Sequence, residues 1–121
     1  MKFHEIHKDS RGSINILTED MALDEVTVFT TRKGFARGGC IHNINDEYTC
    51  VVEGEVEYCI GDETQNLKMG ESLIIPKGTP HYFVSLTDSI VLEWGASPAE
   101  KMEKHAEFRR IVEKINENIV N

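Results

Sequence analysis

The sequence predicts a single all-β domain, an antiparallel β-sandwich or barrel, that is followed by one C-terminal helix. Three observations support this prediction. The chain has 121 residues, which suffices for one hydrophobic core and one domain. Turn residues recur at short intervals and separate runs rich in Val, Ile, Thr, Tyr and Phe. After Trp94 the alternating pattern gives way to apolar residues at helical spacing.

Six short segments are predicted as strands, because β-branched and aromatic residues fill them and turn residues bound them. The clearest of them places Val56, Tyr58 and Ile60 on one face, in alternation with two glutamates and a cysteine. The predicted strands are 26–31, 48–53, 55–60, 72–75, 81–85 and 90–93.

The C-terminal helix is predicted to begin at Ser97. This serine suits the N-cap, Pro98 suits the first helical position, and Glu100 stands three residues after the cap. The apolar stripe of the helix is expected to cover a sheet face or a second subunit. The predicted boundaries are therefore 1–96 for the barrel and 97–121 for the helix packed on the same domain. The stripe consists of Met102, Phe108, Val112, Ile115 and Ile119.

The net charge of -8 argues against a nucleic-acid partner, because duplex binding depends on Lys and Arg side chains. Much of the excess lies in residues 41–75, which hold eight acidic residues and one basic residue. An anionic ligand therefore needs the basic residues in the first third of the chain. These are Arg11, Arg32, Lys33 and Arg37.

Membrane and export signals are not found in the sequence. No apolar run reaches the roughly 18 residues that a membrane span needs, and the N-terminal residues lack the apolar segment of a signal peptide. The cysteines Cys40, Cys50 and Cys59 form no Cys-x-x-Cys motif and cannot all pair with one another. These cysteines predict a reduced, cytoplasmic protein. The lack of a long apolar run predicts that it has no membrane partner.

Four potential metal ligands stand in the middle of the chain. Cys40 and His42 are two residues apart on a predicted strand, so their side chains point to one face. His81 lies on another strand and Glu47 follows a turn, so all four can meet inside a barrel. Two imidazoles and one carboxylate form the ligand set that leaves open positions on iron. A thiolate would shift the preference towards zinc or iron over magnesium.

The spacing of these residues resembles the two-part signature of the cupin superfamily. Cys40 stands where that signature has its first histidine, and Ser85 stands where it has asparagine. The resemblance implies a cupin jelly-roll barrel and a divalent iron, zinc, manganese, nickel or copper ion. The two motifs are Gly34-x5-Cys40-x-His42-x4-Glu47-x6-Gly54 and Gly70-x5-Pro76-x-Gly78-x2-His81-x3-Ser85.

Two further stretches resemble one branch of the cupins, the dTDP-4-dehydrorhamnose 3,5-epimerases and dTDP-sugar 3,4-ketoisomerases. They are Asp9-Ser10-Arg11-Gly12 and Arg37-Gly38-Gly39-Cys40-Ile41-His42. The resemblance implies that Arg11 and Arg37 help to hold a diphosphate and that Cys40 takes the place of the catalytic base. Glu47 departs from the glutamine of the ketoisomerases and favours a metal cupin.

The remaining site residues follow from this interpretation. The tyrosine that acts as acid in the epimerases has no clear counterpart in this sequence, and Tyr58 is the candidate for that role. Phe83 is assigned to substrate binding. Strict alternation places Arg37, three residues before Cys40, on the outer face of the strand. Only a bulge at Gly38-Gly39 would turn its side chain inward.

The sequence therefore predicts a metal-binding cupin that acts on a small polar molecule, in particular a sugar or nucleotide-sugar isomerase or epimerase, and a homodimer. Cys40, His42, Glu47 and His81 are the predicted ligands of zinc, iron, manganese or nickel. Three alternatives remain: a non-catalytic sugar or effector-binding module, an iron-dependent dioxygenase, and a metal-free epimerase that uses Cys40.

Overall fold

The computed structural model describes residues 4–16, 26–95 and 103–120, and it confirms the all-β architecture with a C-terminal helix. Within these ranges the chain forms strands arranged in two antiparallel sheets. The strands are β1 (His4–Asp9), β2 (Gly12–Ile16), β3 (Thr27–Thr31), β4 (Ala36–Ile41), β5 (Glu47–Glu53), β6 (Glu55–Ile60), β7 (Glu63–Lys68), β8 (Ser72–Ile75), β9 (His81–Ser85), β10 (Ser89–Trp94) and β11 (Glu103–Lys104), and the helix is α1 (Ala106–Val120).

The two sheets enclose the core. One sheet has the strand order β1-β2-β3-β10-β5-β8, and the other has the order β11-β4-β9-β6-β7. Side chains from both sheets meet between them, because every second residue of a strand points to the same face. The buried core cluster consists of Val51, Val56, Tyr58, Leu67, Ile75, Phe83 and Val91.

All six predicted strands are present. The segments 55–60, 72–75 and 81–85 match β6, β8 and β9 to the residue, whereas β3 and β5 differ from the prediction by one residue at one end and β10 by one residue at each end. Strand β7 was not predicted. Its residues are mostly polar and exposed, with Leu67 alone buried, so its sequence carries little of the apolar signal of a strand.

The prediction that residues 103–105 belong to the helix is wrong. Glu103 and Lys104 pair with Ile41 and Cys40 at the edge of β4, and α1 begins only at Ala106. The imidazole Nδ1 of His105 accepts a hydrogen bond from the backbone N–H of Phe108 at 3.3 Å and thereby caps the helix. The predicted cap at Ser97-Pro98 lies outside the described residues.

The helix packs on β4 of its own chain, so the described part of its apolar stripe faces a sheet, while Met102 lies outside the described residues. Val112 is 2% exposed. The Asn116 side chain accepts a hydrogen bond from the backbone N–H of Ala36 at 2.8 Å and donates one to the Ala36 carbonyl at 3.0 Å. Arg109 Nη1 donates to the Gly38 carbonyl at 2.8 Å. In the described parts of the chain, no helix is long and apolar enough to cross a membrane.

Candidate metal centre

A β-bulge in β4 sets the direction of the side chains that enter the barrel. The pairing of β4 with β9 shifts register between Gly38 and Cys40, and both Gly38 and Gly39 have positive φ. The condition for an inward Arg37 is therefore met, and its side chain is buried, with 2% of the residue exposed. The extra residue also lets Cys40 lie opposite His81.

The four predicted ligands meet inside the barrel, together with a fifth donor residue, Glu93. The donor atoms of Cys40, His42 and His81 all lie within 4.8 Å of one another. The same is true of the donor atoms of Glu47, His81 and Glu93. His81 belongs to both groups, so the two triads form one continuous cluster of donors.

Glu47 joins the two histidines. Its Oε2 lies 3.2 Å from His42 Nε2, and its Oε1 lies 3.2 Å from His81 Nε2. Glu47 Oε1 is buried and makes no hydrogen bond. Two donors bonded to one ion at about 2.1 Å stand about 3.0–3.4 Å apart, so the Glu47–histidine distances fit shared coordination. This orphaned oxygen and the mixed donor set fit a divalent transition metal.

A backbone contact orients the His81 imidazole, whereas only the main chain of His42 is held and its buried Nδ1 has no hydrogen-bond partner. His81 Nδ1 hydrogen-bonds the Thr79 carbonyl at 3.2 Å, which leaves Nε2 free to face the cluster. The carbonyl of His42 accepts a hydrogen bond from the backbone N–H of Gly78 at 2.7 Å. The two rings are stacked, with centroids 5.8 Å apart. The Pro76-x-Gly78 turn of the second motif thus fixes ligands from both motifs.

The cluster favours a negatively charged Cys40 thiolate beside positively charged His42 and His81 imidazoles. Burial opposes ionisation of the Cys40 thiol, but hydrogen bonding to His42 and His81 outweighs it and lowers the thiol pKa to about 7. Burial opposes protonation of His81, but interactions with Cys40 and Glu47 raise its pKa to about 11. The interaction with Cys40 also raises the pKa of His42. Metal binding at these groups would therefore release protons.

Tyr58 is fully buried in the barrel, and its hydroxyl is engaged. It hydrogen-bonds Thr49 Oγ1 at 3.0 Å and donates a hydrogen bond to Glu93 Oε2. Burial, together with the charge of Glu93, raises the Tyr58 pKa well above its usual value. Burial and the nearby Glu47 likewise raise the Glu93 pKa.

Sequence reasoning missed Glu93 as a site residue. Every second residue of β10 points inward, and Glu93 shares this parity with the buried Ser89 and Val91. The alternate positions Ile90 and Leu92 are also apolar, so the pattern of β10 alone does not identify the inner face. The pairing of Glu93 with Thr49 on β5 supplies that information.

The predicted substrate-binding residues form a second group. Arg37 Nε donates to Thr31 Oγ1 at 2.8 Å and Nη2 donates to the Thr30 carbonyl at 2.9 Å, whereas the buried Nη1 has no partner. Burial lowers the Arg37 pKa to about 10. Arg11 is held by Asp9, with Nη2 2.6 Å from Oδ2, and it reaches the Ala36 carbonyl at 3.4 Å.

Aromatic side chains connect the two groups. The Arg37 guanidinium lies 5.7 Å from the ring centroid of Phe29. Phe29 and Phe83 pack edge to face at 6.1 Å, and Phe83 packs on Tyr58 at 5.2 Å. Phe83 is thus a buried core residue, 2% exposed, between the arginine group and the metal cluster.

Known structures share this fold at low sequence identity. The capsular polysaccharide assembling protein CapF from Staphylococcus aureus is 20% identical, with a TM-score of 0.69 over 86% of this chain and 32% of that one. KdgF from Halomonas sp. is 21% identical, with a TM-score of 0.67 over 79% and 88% of the two chains. Oxalate decarboxylase from Bacillus subtilis, which carries Mn(II) centres, is 15% identical, with a TM-score of 0.69 over 84% and 30%.

The chain spans about a third of the length of CapF and of the oxalate decarboxylase. No curated protein matches it by sequence. The Cupin domain family model matches residues 28–98, which include both halves of the predicted signature and all five donor residues. The barrel, the paired motifs and this match agree, and the chain belongs to the cupin family.

Proposed function

We propose that this cupin is a metal-dependent enzyme that isomerises or epimerises a sugar or nucleotide-sugar. The observation that carries the proposal is the convergence of Cys40, His42, Glu47 and His81 inside one barrel. A carboxylate with no hydrogen-bond partner on Oε1, beside the oriented imidazole of His81, is typical of a metal centre rather than of a packed core.

In this proposal His42, Glu47 and His81 are metal ligands, and Cys40 is a fourth ligand or a reactive thiol. The ion is zinc, iron, manganese or nickel, and the Mn(II) centres of the Bacillus subtilis oxalate decarboxylase support manganese. A divalent ion at this position supplies a Lewis acid for a substrate carbonyl. The protein's own residues then have to orient the substrate and move a proton next to that carbonyl.

Cys40 is the proposed base. It lies between two imidazoles in the first triad, and their hydrogen bonding favours the thiolate that a base requires. Tyr58 was assigned to catalysis, but its hydroxyl is engaged by Thr49 and Glu93. Its proposed role is to position Glu93 within the site.

Arg37 and Arg11 are proposed to hold the anionic part of the substrate. The buried Nη1 of Arg37 offers one donor without a partner, which suits a phosphate or carboxylate oxygen. Phe83 packs on Phe29 and Tyr58 between the arginines and the metal cluster, and its assignment to substrate binding stays a proposal. The assembly of capsular polysaccharide by CapF supports a sugar ligand.

A non-catalytic sugar-binding module is the second candidate. It is favoured by the full burial of Tyr58, which leaves no acid tyrosine open to a substrate. An iron-dependent dioxygenase remains a third candidate on the His42, Glu47 and His81 set.

The predicted homodimer also remains a proposal. Because α1 covers β4, the outer face of the six-stranded sheet is the better candidate for the dimer contact. Exposed apolar residues on that face are Tyr48, Val52, Ile74 and Trp94. Sedimentation velocity would test this dimer, since a monomer in solution would exclude the contact.

The cytoplasmic location stays a prediction based on the free cysteines.

Solvent deuterium exchange tests the enzyme directly. The metal-loaded protein is incubated in D2O with a dTDP-4-keto-6-deoxy sugar, and NMR records exchange next to the ketone. We expect exchange in the wild type and in Cys59→Ser, and none in Cys40→Ser. Binding of the sugar without exchange would favour the non-catalytic module. Oxygen uptake by the iron-loaded protein would favour the dioxygenase.

A further inference from the structure

We propose that Glu93 is an additional metal ligand, and that this second carboxylate shifts the metal preference of the centre away from Zn²⁺ and towards Mn²⁺ or Fe²⁺. The inference rests on the metal centre of the proposed function and adds a residue that lies outside both cupin motifs. It starts from the position of Glu93 on β10, where a carboxylate oxygen lies within 4.8 Å of donor atoms of Glu47 and His81.

The Glu47 and Glu93 carboxylates lie close enough to share a cation. Two carboxylates so close together repel each other unless a proton, a protonated imidazole or a metal ion lies between them. Glu47 is 6% exposed, and its Oε1 makes no hydrogen bond although it lies 3.2 Å from His81 Nε2. An ion shared by Glu47, His81 and Glu93 satisfies this oxygen and balances both carboxylates.

Two hydroxyl groups hold Glu93 in the orientation that a ligand needs. Tyr58 donates its only hydroxyl proton to Glu93 Oε2, so the hydrogen bond between Tyr58 and Thr49 uses the Thr49 proton. All three residues lie inside the barrel. A ligand carboxylate is commonly fixed by such outer hydrogen bonds. Tyr58 is therefore a positioning residue, and Glu93 is the group that contacts the metal.

The second carboxylate changes the metal that the donor set prefers. His42, His81 and Glu47 provide three donors, and Cys40 makes four, the number of a tetrahedral zinc site, where it binds the ion instead of acting as the base. Glu93 adds one further donor, a hard oxygen, which suits manganese or ferrous iron with higher coordination. Removal of Glu93 should therefore weaken Mn²⁺ binding more than Zn²⁺ binding.

Metal titration of the full chain tests this assignment. Metal-free wild type and Glu93→Gln are titrated with Mn²⁺, followed by the EPR signal of the free ion, and with Zn²⁺ in competition with a chromogenic chelator. In Glu93→Gln we expect the Kd for Mn²⁺ to rise by about tenfold or more, and the Kd for Zn²⁺ by less than about threefold. Glu57→Gln on β6, outside the donor cluster, is the matched control and should leave both values unchanged.

Tyr58→Phe separates positioning from ligation. We expect a loss of Mn²⁺ affinity that is smaller than in Glu93→Gln, because the carboxylate remains while its donor is removed. If Glu93→Gln does not fold, Glu93→Asp replaces it. That variant keeps the charge but shortens the reach, so an unchanged Mn²⁺ affinity would overturn the assignment.

The outcomes distinguish this inference from the proposed function. A wild type that binds Mn²⁺ and a folded Glu93→Gln that binds it within about twofold would overturn the role of Glu93 alone. A wild type that binds neither ion would overturn the metal centre, and the Glu93 assignment with it. A selective loss of Mn²⁺ binding in Glu93→Gln supports both.

Discussion

Strands β5, β9 and β10 each contribute to two different regions of the barrel interior. Val51, Phe83 and Val91 belong to the apolar core, whereas residues two or four positions away on the same strands belong to the metal cluster. Two residues along a strand correspond to roughly 6.6 Å. The alternation of a strand therefore decides which side chains enter the barrel, and the position along the strand decides whether they stabilise the fold or bind a ligand.

The two regions also differ in their effect on stability. Burial of the apolar side chains stabilises the folded state. Burial of Glu47, Glu93 and Cys40 costs free energy unless a cation offsets their charge. The apolar region is thus expected to keep the barrel folded in the absence of a metal ion, whereas the polar region is expected to add stability only when the ion is bound. The following predictions test this division.

A cavity in the apolar region is expected to lower the stability of the barrel strongly. Leu67 is 1% exposed, so Leu67→Ala should lower the free energy of unfolding by about 2–5 kcal/mol, as measured by urea denaturation. Met69→Ala, at a side chain that is 70% exposed, is the control and should change little. Metal affinity should be retained in the folded Leu67→Ala protein. A loss of metal binding there would show that the two regions are not separable.

Metal binding should stabilise the protein through the polar region. At a free Mn²⁺ concentration of 100 times Kd, the free energy of unfolding should rise by about 2.7 kcal/mol. Thermal unfolding with and without the ion measures this change. His42→Ala should abolish it, whereas His7→Ala, at a half-exposed side chain on β1, should leave it intact. Stabilisation of His42→Ala equal to that of the wild type would place the ion elsewhere.

The bulge in β4 connects the barrel interior to the helix, and two glycines offer a matched test. Gly39 and Gly70 both have φ of +86°, but an added Cβ would lie 2.8 Å from the Arg109 Cα at Gly39 and near no atom at Gly70. Both alanine variants should lose about 1–3 kcal/mol to backbone strain.

Gly39→Ala should lose about 1–3 kcal/mol more, because it forces α1 away from β4. Urea denaturation of the two variants gives the difference. Equal stabilities would mean that the close approach of the helix is not required at the bulge.

The smallest effect is expected from a partly exposed ion pair. The Arg11 side chain holds the pKa of Asp9 well below its usual range. The folded pKa lies below the unfolded value of about 3.9, so the pair stabilises the protein above that pH and the contribution is lost as the pH falls towards the folded pKa. Because the pair is partly exposed, we expect a contribution of only about 0.2–1 kcal/mol at neutral pH.

Urea denaturation at pH 7 and pH 3 measures this contribution. Asp9→Asn should be less stable than the wild type at pH 7 and closer to it at pH 3. Asp62→Asn, in the exposed turn between β6 and β7, is the control. A difference between Asp9→Asn and the wild type that grows at pH 3 would contradict the assigned direction.

The sequence predicts those parts of the fold where local pattern and buried face agree. In β6 the inward Val56 and Tyr58 alternate with outward polar residues, and the prediction matches the structure to the residue. The fixed spacing of the two motifs likewise identifies Cys40, His42, Glu47 and His81, because each lies at a strand or turn position that the motif determines.

Other features depend on contacts that no local pattern encodes. The direction of Arg37 depends on a bulge whose two glycines allow positive φ, and the helix start depends on the pairing of Glu103 and Lys104 with β4. The role of Glu93 depends on which face of β10 is turned inward, since apolar residues occupy both faces of that strand.

The metal content of the protein decides whether the barrel holds a metal centre. Elemental analysis is made of the full chain, purified without an affinity tag or chelator, as wild type and as the His42→Ala/His81→Ala variant. We expect about one manganese, iron, zinc or nickel ion per wild-type chain and loss of that metal in the folded variant. A variant that keeps the metal stoichiometry of the wild type would contradict the assigned centre, and so would a wild type that takes up no metal after reconstitution.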